Sequence, residues 1–424
     1  MQQRSGVCQS MKRLLMVAYH FPPFAASTGI QRTLGFARHL PAFGWEPLIL
    51  TAHPRAYEHR SDEHINVSFP MIVEHAFALD SARQLSLGGR YAAFTARPDR
   101  WISWWLGAVP KGLAMIRKYR PDAIWTTYPI ATAHKIGCTL HRLSGLPWIA
   151  DFRDPMAQDG YPEDPKTWQS FKRIEEATLR KAARAVFVTH GAARMYRNRY
   201  VDLPETRIGV VENGYEEESF AALPGAETSP LNPGRITLLH SGVVYPNERD
   251  PTQLFAALRR LMNEDPRLAD RLRIRLRASG HDSLLARLIE ASGVAQIVEL
   301  APSVPYREAL QEMMRADGLL VLQAANCNDQ VPAKVYEYLR CGRPILALTD
   351  PAGETAALLR RARADTIAPL DSEEQIHSAL RLFLAQTLAG RPVLPDPAFA
   401  REGSRRARTR EFAGMLEECV DAVR

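Results

Sequence analysis

Short apolar runs alternate along this chain with longer stretches that are apolar only at helical spacing, and this alternation limits the fold more than any single motif. After Met11 come the runs RLLMVAY, EPLILTA, DAIWTT, PWIAD and ARAVFVT, apolar without interruption, as strands buried on both faces require. Between them lie TGIQRTLGFARHLPAF, ATAHKIGCTLHRL and SFKRIEEATLRKAA, each long enough for a helix. Strand and helix in turn predict β-α units on a parallel sheet. The pattern stops over residues 213–234, NGYEEESFAALPGAETSPLNPG, where Gly, Pro, Ser and Glu dominate. It resumes with RITLLHSG, PTQLFAALRRLM, RIRLRAS, DSLLARLIEAS, QIVEL, REALQEMMRA, GLLVLQA and PILAL. The expectation is an α/β protein of two doubly wound Rossmann-like domains, residues 11–212 and 235–390, joined by a linker over 213–234. Residues 1–10 are expected to be a disordered extension, and 391–424 a helical tail that packs back on the first domain. Such sheets bind ligands beyond the carboxyl ends of their strands, so the sequence places its site in a cleft between the two domains.

Composition leaves the partner open. A formal charge of +7 suits an anionic small molecule, an anionic membrane surface or nucleic acid, and does not choose among them. No apolar run approaches the roughly 18 residues of a membrane-spanning helix. Cys8, Cys138, Cys327, Cys341 and Cys419 are scattered and form no C-x-x-C pair, which fits reduced thiols and a cytoplasmic location. Absent motifs matter as much: no G-x-G-x-x-G follows the first strand, and G-x-x-x-x-G-K-[ST], G-x-S-x-G, H-E-x-x-H and D-x-D are all missing. Nicotinamide binding, P-loop hydrolysis, serine hydrolysis, zinc proteolysis and an aspartate-bridged metal diphosphate site lose their usual support.

One stretch asks for an anion. In DQVPAKVYEYLRCGRPILAL, Pro332 suits the first position of a helix, and Lys334 then lies in the first turn, where the helix dipole disfavours a cation by roughly 0.3–1 kcal/mol. Helix N–H groups beside a lysine make a phosphate site. Glu337, three residues on along the same face, offers a carboxylate to two ribose hydroxyls. The alternative at this point is a plain Lys334–Glu337 surface ion pair.

Asp329-x7-Glu337, with V-P-x-K-x-x-E-Y-L-x-x-G-x-P-I-L, resembles the E-x7-E region of the retaining GT-B glycosyltransferases of family 4. The resemblance implies that Glu337 binds the nucleotide ribose, that Asp329 contacts the donor sugar, and that Val331 and Pro332 line the donor site. YHFPPFAASTGIQRTLGF is similar to the family's opening strand and glycine loop, which puts the Gly29 amide near the donor phosphates. TTYPIATAHKIG is similar to the segment whose histidine points at the donor sugar, here His134. WIADFRDP supplies Asp151, Arg153 and Asp154 on the acceptor side, and LLHSGVVYPNERDP supplies Gly242 near the donor and Arg249 as a phosphate ligand.

The implied protein is a cytoplasmic GT-B enzyme with two domains facing each other across a cleft. It transfers a sugar from a nucleoside diphosphate sugar to a sugar or lipid-linked acceptor hydroxyl, with retention, no obligatory metal and no nucleic acid partner. Bacterial surface polysaccharide or glycolipid synthesis is the implied setting, with His134, Arg249 and Lys334 as catalytic residues. Trp101, Trp104 and Trp105, set beside Lys111, Arg117, Lys118 and Arg120, suggest a peripheral contact with the inner face of a membrane, against the alternative that they fill a core or an acceptor pocket. Two other functions stay open: a sugar-nucleotide epimerase on the same fold, and a non-catalytic sugar-nucleotide or lipid-binding module.

Overall fold

The computed structural model describes residues 11–24, 29–60, 71–88, 90–223 and 229–423, so the extension expected over residues 1–10 lies outside the described residues. The chain forms two compact units, Met1–Glu212 with Arg405–Arg424, and Asn213–Ser404. The first carries strands β1 (Lys12–Val17), β2 (Trp45–Ala52), β3 (Ile72–Ala76), β4 (Ala123–Thr127), β5 (Trp148–Arg153), β6 (Arg184–Phe187) and β7 (Ile208–Val210). They lie in the order β3-β2-β1-β4-β5-β6-β7, and every pairing is parallel. Leu15 and Val17 of β1 enter one core while Leu14 and Met16 enter another, so the uninterrupted apolar run fills both faces of the sheet.

The second unit carries β8 (Ile236–Ser241), β9 (Leu272–Arg277), β10 (Val298–Ala301), β11 (Gly318–Leu322), β12 (Ile345–Leu348) and β13 (Ile367–Ala368). Their order is β10-β9-β8-β11-β12-β13, again all parallel. In each sheet the winding reverses beside the first strand, between β1 and β4 and between β8 and β11. Such switch points open a crevice at the strands' carboxyl ends.

The structure corrects the sequence reading in three places. β3, β7 and β13 went unseen: all three are sheet edges, where short strands lack the long apolar run of a central one. The segment from residue 213 is not a free linker, because its two aromatics, Tyr215 and Phe220, are buried in the second unit and Arg340 grips Glu217 with two donors, one at 2.8 Å. The helical tail divides between the units. Pro397–Glu402 belongs to the second unit, whereas Arg405–Asp421 packs on Gly29–His39 in the first, with Phe412 stacked on Phe36 at 4.5 Å.

The tryptophans near residue 100 also turn inward. Trp104 is fully buried, Trp101 and Trp105 pack against the same core, and the Trp105 indole donates to the Thr139 hydroxyl at 3.0 Å. Lys111 pairs with Glu74 at 2.9 Å. The tryptophans and Lys111 are thus engaged by the fold, whereas Arg117, Lys118 and Arg120 are exposed.

Candidate active site

The richest constellation stands at the β8/β11 switch point. The paired ladder between these strands runs to Leu239 and Leu319. One step beyond, the His240 imidazole bonds through Nδ1 to the Leu320 carbonyl at 2.9 Å. Its other nitrogen, Nε2, lies 3.0 Å from the Lys334 amine. Lys334 opens the helix Lys334–Cys341. Gly242 follows β8 with φ of +111°, and a Cβ there would sit 3.2 Å from the Lys334 amine, so glycine serves both the backbone and the lysine's space.

Burial, and then the nearby Arg249 guanidinium, push the Lys334 ammonium well below its ordinary value. Arg249 itself is held by the Val243 carbonyl and stacks over Tyr245, 5.1 Å from the ring centre. Lys334 and Glu337 bond in different directions: the Glu337 carboxylate accepts the Tyr306 hydroxyl at 2.7 Å. Asp329 sits on a loop clasped by Gln323, whose amide donates to the carbonyls of Cys327 and Gln330 at 2.8 and 3.0 Å. The Ala324 amide donates to the Glu248 carbonyl at 2.7 Å and so ties this loop to that of Arg249.

Two details of the expected anion site change. Pro332 lies before the helix rather than at its first position, and the amides of Val335 and Tyr336 are taken by the Pro332 and Ala333 carbonyls in a tightened first turn. Val331 is buried in the core, so its side chain serves packing. The groups that an anion would meet here are chiefly the Lys334 amine and the Arg249 guanidinium. The arrangement suits a phosphate group at Lys334 and Arg249, with a hydroxyl-bearing ring towards Glu337.

In the first unit the acceptor-side residues divide. Asp151 is fully buried and accepts both arms of Arg32, at 2.8 and 3.0 Å, together with the Thr127 hydroxyl at 3.3 Å. Arg32 also donates to the carbonyls of Val211 and Glu212 at 3.0 and 3.2 Å. This pair locks the Gly29–His39 helix to the end of β5 and to the segment that leaves β7, so Asp151 holds the fold together. Arg153, with φ of +58°, donates to the Tyr128 carbonyl at 3.2 Å. Burial raises the carboxyl of the neighbouring Asp154, and it pushes His20, which also feels Arg153, down to about 3. Gly29 is the first residue of its helix, and the loop before it, residues 25–28, lies outside the described residues.

His134 lies inside the fold. It is fully buried on the sheet-facing side of the helix Ala131–Ser144, bonded through Nδ1 to the Thr126 hydroxyl at 2.8 Å, with Phe152 at 4.9 Å. Burial drives it down to about 3, so the ring is neutral, and its Nε2 has no hydrogen-bond partner among the described residues.

Sequence reasoning missed His240, Arg32, Gln323 and Tyr306. A histidine inside the apolar run RITLLHSG was the one signal available for the first, since burying a polar imidazole costs free energy that a hydrogen-bond partner offsets.

Residues 28–214 match the family of glycosyl transferase 4-like domains. Solved structures match across both units. HepE from Anabaena, in complex with UDP, aligns with a TM-score of 0.68 at 13% identity, over 96% of this chain and 100% of that one. WaaG, a glycosyltransferase involved in lipopolysaccharide biosynthesis, aligns at 0.60 and 14%, over 97% and 99%. A putative UDP-N-acetylglucosamine 2-epimerase from Listeria monocytogenes aligns at 0.55 and 12%, over 92% and 94%. No curated protein matches by sequence. At such identities these likenesses establish the fold, which is GT-B.

Proposed function

We propose that this chain, whose residues 28–214 match the glycosyl transferase 4-like domain and whose fold is GT-B, is a glycosyltransferase that moves a sugar from a nucleoside diphosphate sugar to an acceptor hydroxyl with retention of configuration. The observation that carries this reading is the meeting of Lys334, Arg249 and Glu337 at the β8/β11 switch point. As the bond between the anomeric carbon and the diphosphate oxygen breaks, its electron pair passes to the leaving diphosphate. The two cations meet that growing charge, which is preorganised electrostatic stabilisation. The acceptor oxygen bonds to the anomeric carbon on the same face and its proton passes to a phosphate oxygen. Retention rests on the resemblance of the Asp329–Glu337 region, and so does the setting in surface polysaccharide or glycolipid synthesis.

Because protein cations neutralise the diphosphate, turnover is expected without an obligatory metal. HepE was captured with UDP and with UDP-glucose, which makes uridine donors the first to try. A thermal-shift screen against nucleoside diphosphate sugars tests the reading: a ligand at 100 times its Kd stabilises by about 2.7 kcal/mol. No shift with any donor removes the proposal, and activity lost to EDTA and restored by manganese removes its metal-independent form.

The likeness to an epimerase structure gives the second reading, in which the donor sugar is altered without an acceptor. Analysis of products formed in the absence of acceptor separates the two.

We place a peripheral membrane contact, at the inner face of a cytoplasmic membrane, on the first unit. The support is the exposure of Leu87, Phe94 and Leu106, at 89%, 77% and 63%, in a stretch of chain that also exposes Arg83 and Arg90. Binding to anionic vesicles at low salt should weaken in Leu87→Ser/Phe94→Ser. A protein that ignores such vesicles has no membrane contact here.

A further inference from the structure

We infer that His240 is the positioning residue for Lys334: held in a single tautomer across the β8/β11 switch point, it accepts one N–H of the lysine and leaves the remaining donors aimed at the anionic leaving group. The inference rests on the proposed role of Lys334 and adds a residue that neither the motif nor the family resemblance supplied.

The tautomer follows from the partners. A carbonyl only accepts, so Nδ1, 2.9 Å from the Leu320 oxygen, carries the proton. The neutral ring then has a lone pair only on Nε2, and this faces the Lys334 amine at 3.0 Å. An imidazolium would present a second N–H to the ammonium, which the geometry opposes. The ring is fully buried, so no water substitutes for either partner without repacking. Gly242 keeps the amine's space open from the other side, since a Cβ there would lie 3.2 Å away.

The charged groups facing Lys334 are Arg249, from the loop after β8, and Glu337, from its own helix. Arg249 and burial both favour loss of the lysine's proton; Glu337 and the His240 lone pair oppose it. The net direction is loss of the proton, and in the proposed arrangement the His240 lone pair works with Glu337 against that loss.

The test uses the full chain, with UDP, ADP and GDP as probes across pH 7–10, and with donor turnover. His240→Phe keeps the ring's bulk and removes both nitrogens, while His240→Gln keeps one donor and one acceptor. Loss of one charge-assisted hydrogen bond predicts that His240→Phe lowers turnover about 10- to 100-fold. The alkaline loss of nucleotide affinity should begin at lower pH in His240→Phe, and His240→Gln should recover most of both properties. A merely structural histidine would shift the melting temperature and leave the pH midpoint unmoved. In a Lys334→Ala background His240→Phe should cost little more, because its target is gone. An unchanged pH midpoint, or full additivity with Lys334→Ala, overturns the inference. Failure of the unaltered protein to bind any of the three nucleotides instead overturns the donor-site reading on which it stands.

Discussion

At the scale of single residues, Lys334 and Glu337 share one helix and face different parts of a ligand. Lys334 bonds to His240 and Glu337 to Tyr306, so the two are held apart rather than spent on each other. Charge at the diphosphate grows during reaction, whereas ribose hydroxyls do not change. Lys334→Ala should therefore lower kcat far more than it weakens donor binding, and Glu337→Gln should mainly weaken binding of donor and free nucleoside diphosphate. Steady-state kinetics with nucleotide titration of both variants checks this. A surface ion pair would instead give at most about 1 kcal/mol of stability and unchanged kinetics. Wild-type nucleotide affinity in Glu337→Gln takes the ribose away from this helix.

At the scale of elements, the Arg32–Asp151 pair decides between an acceptor contact and a structural clamp. Removing one partner of a buried, fully bonded pair leaves an uncompensated charge and costs about 3–5 kcal/mol. Arg32→Met should accordingly lower the midpoint of urea unfolding sharply, and Arg32→Met/Asp151→Leu should recover part of the loss. If Arg32→Met leaves the midpoint in place and only raises the acceptor KM, Asp151 belongs to the site after all. Such pairings also mark how far the sequence could be read. The runs RLLMVAY and GLLVLQA announced central strands because burial on both faces writes itself into consecutive residues. The helix carrying Lys334 was legible for a similar reason, its lysine, glutamate and glycine turn being local. Periodicity told that His134 sat on a helix after a strand, but not that its face was turned onto the sheet. Arg32 and His240 find their partners 119 and 94 residues away, a juxtaposition that no local pattern encodes.

At the scale of the whole molecule, buried imidazoles set an acid limit. His134 and His240 are fully buried and held neutral, the first with its titration moved down to about 3, the second well below its usual value. An unfolded histidine takes up a proton near pH 6.5, so between that value and the lowered folded one the unfolded chain binds more protons. Stability is then complete above about pH 6.5 and is lost as pH falls, by up to about 1.4 kcal/mol per pH unit for each such ring. Asp99 and Asp154, whose carboxyls burial raises, act in the opposite sense. Comparing His134→Gln with the unaltered protein isolates one ring: between pH 6.5 and 5 its melting temperature should fall less steeply. Parallel curves would show that His134 does not titrate on unfolding. A last consequence follows from the helix Arg405–Asp421, whose Phe412 and Leu416 complete a core begun by Leu14 and Phe36. On the ribosome, that core waits open while residues 213–404 are made, roughly 10–40 s at 5–20 residues per second. The nascent first unit is thus expected to expose this apolar surface until the Arg405–Asp421 helix has been made.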